Sequence, residues 1–235
     1  MENNSAPACS PRELFPCLRP PIPEVFAAAK YLDAAVSAHM IGDSELAEHL
    51  IRAANMDEVR AWTESLWGKA SPYVRPRALP NSPPVLSRGE RVVERMPTGA
   101  VLAELHRRDG FHCRFCGVPV IRKVVRVFLG KLYPAALRWE RTNLSQHAAF
   151  QAMWAQYDHV LAHARGGDNS IENTIVTCAP CNFAKMNYTL DELGLSDPRT
   201  RHPLKSDWDG LERVLQSPTS NLTVEQKLAV ETDLQ

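Results

Sequence analysis

Apolar positions fall into helical spacing soon after residue 23. Val25, Ala28, Ala29, Leu32 and Val36 recur at steps of three and four and form one face of a helix. Pro23 suits its first turn, where a missing N–H costs nothing. Gly42-Asp43 interrupts the run, and Asp43 can cap a second helix with Leu46, Leu50 and Ile51 as its buried stripe. A third helix follows from about Asp57, with Val59, Trp62, Leu66 and Trp67 apolar. The pattern predicts a small helical region over residues 24–70. Residues 71–87 then carry Pro72, Pro76, Pro80, Pro83 and Pro84, which fix φ and remove donors, so this stretch reads as an extended linker at a domain boundary.

Past the linker, Thr98 to Arg108 has helical spacing through Val101, Leu102 and Leu105, and Gly110 ends it. Pro119 can open another helix, since Val120, Val124, Val127 or Phe128, and Leu132 recur at three or four; the β-branched pair Val124-Val125 leaves a strand open. Asn143-x-x-Gln146 has the form of a capping box, and Phe150, Trp154 and Tyr157 share one helical face, read as core rather than as a base-stacking surface. A helical insertion over about 118–156 is therefore expected. Gly166-Gly167-Asp168-Asn169 is a turn, and Ile175-Val176-Thr177 a short strand. A helix should run on past Lys185 to Leu193 and stop at Gly194, with another short one over Trp208 to Leu215. Residues 1–23 are Pro-rich and polar and are expected to be disordered; 217–235 form a polar tail with a weak helix from Thr223 to Leu234. The fold class is α+β, mainly helical.

With 44% hydrophobic residues in 235, the chain can bury a sizeable core. It has no apolar run long enough to span a bilayer and no basic-then-apolar leader, so we expect a cytoplasmic protein with no membrane partner. Formal net charge is zero but unevenly spread: residues 88–141 carry 12 Lys/Arg against 5 Asp/Glu, and residues 142–235 carry 7 against 12. A basic segment of that kind can face phosphates, although charge runs are more often a solvated surface.

Cysteine spacing adds chemistry. Cys113-Arg-Phe-Cys116 and Cys178-Ala-Pro-Cys181 are two CxxC pairs, each able to aim two sulfurs at one ion, and together they complete a closed tetrahedral Zn²⁺ site that holds structure and leaves no position for catalysis. His112 adjoins the first pair and could replace a sulfur, while Cys9 and Cys17 lie outside any pair and are expected to be free. Between the pairs come Asp158-His159, Gly166-Gly167 and Asn173, followed by Asn182 and Lys185 around the second pair. Neighbours on a strand point to opposite faces, so a turn or bulge must intervene for Asp158 and His159 to serve one site.

These residues resemble the HNH endonuclease family: Asp-His, a Gly-Gly turn, a middle Asn, then CxxC followed by His or Asn and a nearby Lys. The entry segment Leu105 to Gly117 is also similar to that of zinc-bearing members, and the resemblance covers about half the chain. It implies a ββα-metal core within a nuclease domain over residues 88–216, with DNA as partner. On that basis His159 would be the general base, Asp158 and Asn182 would hold one divalent ion, and Asn173 would fix the loop and orient His159. Hard oxygen ligands at Asp158 and Asn182 suit Mg²⁺ or Mn²⁺, and Asn in place of the commoner His shifts preference further from softer metals. Lys185 and Arg165 are candidates for phosphate contact, with ordinary solvated charge as the alternative. The competing expectation is a zinc-stabilised nucleic-acid-binding module without catalytic activity.

Overall fold

The computed structural model describes residues 17–94 and 96–217. The expectations for the 1–23 tail up to residue 16, for Cys9 and for the terminal helix over Thr223 to Leu234 lie outside the described residues. Within them the protein is α+β and mainly helical, with a two-stranded antiparallel sheet.

Helix α1 (Pro23–Met40) starts at its proline and buries the apolar stripe expected of it. In α2 (Ser44–Ala53) the Asp43 carboxylate accepts from Leu46 N at 3.0 Å, satisfying one of the N–H groups left over at a helix start. Its buried stripe is Ala47 and Ile51, with Leu50 half-buried. Leu46 instead stays 44% exposed, because it lies one position before that stripe and so on the outer side of the turn. Helix α3 (Asp57–Ser65) buries Val59 and Trp62, and the Trp62 indole donates to Pro20 O at 2.9 Å.

These three helices share one hydrophobic core with the rest of the described chain, continuous from Val25 to Leu215. Polar contacts cross the same seam. Arg60 donates to Asn143 O and Gln146 O, Arg52 to Ala135 O, and Arg213 bonds Asp33. The proline-rich stretch over 71–87 forms no helix or strand, yet it is tied down at Arg77 N to Glu192 O (2.8 Å) and at Leu86 N to Ala164 O (2.8 Å).

Helix α4 (Gly99–Asp109) is capped by Thr98 and stopped by Gly110 at φ 69°. The expected helix from Pro119 begins later, as α5 (Lys123–Leu132), because Val120 and Ile121 are drawn into extended pairing: Val120 N donates to Phe111 O and Ile121 N to Met153 O. A second difference lies at 143–157. Asn143–Ser145 is a 3-10 turn rather than a helix start, α6 (Ala148–Ala152) is one short helix, and Tyr157 belongs to a strand, where its hydroxyl meets His106 Nε2 at 2.9 Å. Pairing with the chain twenty residues on outcompetes the local helical spacing of Phe150, Trp154 and Tyr157.

That strand, β1 (Ala155–His159), pairs with β2 (Thr174–Cys178) without a bulge, Ala155 opposite Cys178 at one end and His159 opposite Thr174 at the other. Buried Asp109 anchors β2 to α4: its carboxylate accepts from Val176 N at 3.0 Å and pairs with Arg108. Helix α7 (Ala179–Lys185) follows β2 directly. It does not run on to Leu193 as expected. Met186 turns left-handed at φ 51°, and α8 (Leu190–Leu193) restarts under a Thr189–Glu192 capping box and ends at Gly194. Leu211 to Gln216 closes the described chain, with the Trp208 indole donating to Val120 O.

Candidate functional site

Four sulfurs gather at the open end of the hairpin. Cys113, Cys116, Cys178 and Cys181 are all buried, with ligand atoms within 4.8 Å of one another, and Cys116 and Cys178 are 3.6 Å apart. A tetrahedron with Zn–S bonds of about 2.3 Å has edges of about 3.8 Å, so the sulfur set fits a zinc ion. The first knuckle is a turn in which Gly117, at φ 75°, donates to Cys113 O at 2.9 Å. The second is the start of α7, with Cys178 as the residue before the helix and Pro180 in its first turn. Burial pushes the Cys116 and Cys178 thiols up, and contact with Cys113 raises Cys181. A metal cation would offset the cost of ionising buried sulfur here. His112 is not needed as a ligand: its Nε2 faces Ser206 Oγ at 3.2 Å. Cys17 is a free thiol, half-buried, and pushed up to about 12 by burial and by the nearby Cys116 and Cys113.

Along β1 a cavity of about 950 Å³ opens, lined by Gln156, Asp158, His159 and His163 on one side and by Asn182 and Phe183 of α7 and Met186 after it on another. The structure thus brings Asp158, His159 and Asn182 to one space although β1 has no bulge. Helix α7 closes the Asp158 side through Lys185, and the loop after β1 closes the His159 side through Asn169.

Each group has a defined setting. Asp158 is buried, and burial pushes its carboxyl up to about 6 against the opposing pull of Lys185. Lys185 Nζ lies 3.2 Å from both carboxylate oxygens, in hydrogen-bond geometry only with Oδ1, so Oδ2 accepts no hydrogen bond. The same ammonium donates to His159 O at 2.7 Å. Asn182 donates from Nδ2 to Gln156 Oε1 at 3.3 Å, so its amide nitrogen is engaged. A carboxylate and an amide lining one cavity supply the hard oxygens a divalent cation takes, and on Asp158 such a cation would share the carboxylate with the Lys185 ammonium.

The His159 ring is held through Nε2 by Asn169 Oδ1 at 2.7 Å, which assigns the proton to Nε2 when the amide oxygen accepts and makes Nδ1 the basic nitrogen. Orientation of His159 by Asn173 is therefore indirect. Asn173 pins the loop, accepting from Leu161 N at 2.9 Å and donating to Leu161 O and Asp168 O. The Gly-Gly turn serves the same packing: a Cβ on Gly167 would fall 1.7 Å from Leu161 O, and Gly166 is at φ 88°.

The two phosphate-contact candidates are committed elsewhere. Lys185 is fully buried on Asp158, and Arg165 pairs with Glu192 at 3.0 Å and donates to Asn187 O and Pro83 O. Neither offers the cavity an uncompensated charge. Residues the sequence reading passed over are Gln156, Asn169, His163 (ring centroid 6.0 Å from that of His159), and Arg88 and Arg91, which line the cavity from the proline-rich side. Asn169 carried one signal, its place in the turn, and the arginines carried only their membership of the basic segment over 88–141.

Among the described residues no helix is long and apolar enough to cross a membrane. Comparison with known proteins returned no matching family model, no matching curated protein and no matching solved structure.

Proposed function

We propose that the chain is a metal-dependent nuclease of the HNH type that hydrolyses phosphodiester bonds in DNA, with the four-cysteine zinc centre as its scaffold. One observation carries the reading: Asp158, His159 and Asn182, drawn from a strand and from a helix beyond a long loop, line one cavity. The order strand, strand, helix is also what the HNH resemblance implies for a ββα-metal core. In this reading His159, held by Asn169, takes the proton of the attacking water. Asp158 Oδ2 and the Asn182 amide oxygen would hold Mg²⁺ or Mn²⁺, which when bound stabilises charge on the phosphate and the leaving oxygen. Asn173 keeps the loop closed behind His159. Lys185 offsets the burial of Asp158 and anchors the end of β1.

Plasmid DNA incubated with purified protein tests this. Cleavage should require added Mg²⁺ or Mn²⁺ and fall about 10²–10⁴-fold in His159→Ala, at unchanged zinc content. Retained cutting by that variant rejects the base assignment. The second reading, a zinc-stabilised nucleic-acid-binding module, draws on the ammonium of Lys185, already 3.2 Å from both oxygens of the proposed metal ligand. An inert wild type that still shifts DNA would favour it.

A further inference from the structure

The proline-rich side of the cavity is a strap, residues 85–94, stitched to the loop that follows β1. Leu86 N donates to Ala164 O at 2.8 Å, Asn169 Nδ2 to Glu94 O at 2.6 Å, and His163 Nε2 is 2.9 Å from Val92 O. Arg91 points its Nε and Nη2 at Leu86 O, at 3.1 and 2.8 Å. Leu86 is therefore fixed through its N–H to the catalytic loop and through its carbonyl to the guanidinium. A neutral backbone acceptor holds the arginine by one edge and leaves its charge uncompensated.

Among the described residues neither Arg88 nor Arg91 has an ion-pair partner, whereas Lys185 and Arg165 are matched by Asp158 and Glu192. The acid between the two arginines, Glu90, folds back onto Ser87 N at 2.9 Å. A pre-oriented, unmatched guanidinium in a concave wall raises the local potential for an anion and loses little freedom on binding it. Its planar donor fork suits phosphate oxygens.

We propose that Arg91, supported by the exposed Arg88, is the phosphate-holding element of this cavity, gripping the backbone of a polynucleotide beside the bond on which His159 acts. The assignment rests on the nuclease reading, and it moves the phosphate contact from Lys185 and Arg165 to the strap.

The test uses the full-length, zinc-loaded chain and fluorescent single- and double-stranded oligonucleotides, with binding followed by anisotropy across a salt series. Arg91→Gln should weaken binding about tenfold. It should also lower the slope of log affinity against log salt by about 0.9 on duplex or about 0.7 on single strands, the loss of one phosphate contact. Arg88→Gln should lower the slope with a smaller loss of affinity, and Arg91→Lys should keep the slope but lose part of the affinity. Melting temperature and zinc content report whether the strap and knuckles persist; if Arg91→Gln unfolds, Arg88→Gln and Arg91→Lys carry the test. Unchanged affinity and slope in the arginine variants, beside a wild type that cuts plasmid, overturn the strap assignment and leave the nuclease reading standing. A wild type that neither binds oligonucleotide nor cuts overturns both.

Discussion

The thiolate centre sits at one end of a five-residue hairpin and the cavity runs along β1 from Gln156 to His159, and the two are built on opposite principles. At the Ala155–Cys178 end the four ligands are chemically alike, all buried, and close enough to need only an ion. Along the cavity the groups are unlike and partly engaged already: a carboxylate on a lysine, an amide on a glutamine, an imidazole on an asparagine. The first arrangement could hold a structural metal tightly; under the proposed function the second would take an exchangeable ion beside a substrate. Under the proposed function, scaffold and chemistry would thus draw on different residues of one hairpin, so that holding the fold does not consume the reactive positions.

The sharpest break in this contrast is Cys178→Ser. Structural zinc sites contribute on the order of 10 kcal/mol to folding, so the variant should lose both zinc and its cooperative melt, read by elemental analysis and circular dichroism. A folded, zinc-free variant would remove the scaffold from the comparison. Next in size is Lys185→Met, which leaves Asp158 buried without its cation and should cost about 3–5 kcal/mol in denaturant titration. If Asp158 holds a divalent ion, Mn²⁺ should raise the melting temperature of this variant more than that of wild type.

Acid should act on the surrounding packing and not on the zinc end alone. Burial pushes His147 and His106 down to about 4. The unfolded chain takes up their protons near pH 6.5 while the folded chain does not, so each depresses stability as pH falls from about 6.5 toward 4 and contributes no penalty above that window. The expected loss is about 1–3 kcal/mol per histidine, and His147→Gln should flatten the profile. Smallest is Asn169→Ala, which frees the His159 ring and cuts the Glu94 tie to the strap, and should lower cleavage about tenfold. Asn169→Asp keeps an acceptor for the ring but loses the donor to Glu94 O, so it should restore part of the rate while shifting the pH profile upward.

Much of the scaffold was legible in the chain because its causes are local. Pro23, Asp43, Thr98 and Gly110 mark helix ends through their own backbone chemistry, and the CxxC pairs declare themselves by spacing. The cavity was legible only in part. Asp158, His159 and Asn182 could be picked by type, but no periodicity reveals that Lys185 turns inward, that Glu192 neutralises Arg165, or that residues 85–94 wall the site. Those facts depend on contacts between segments 27 residues apart for the Lys185 and Arg165 pairs and 78 apart for Leu86 and Ala164, and on Tyr157 joining a strand against its helical spacing.

Cys116 and Cys178 stand 62 positions apart, so an ion shared between them ties the polypeptide into a ring that contains both β1 and the loop with Asn169 and Asn173. A protease nick at the exposed Leu144 would cut that ring without releasing either half. The two fragments would travel as one molecule until a chelator parted them.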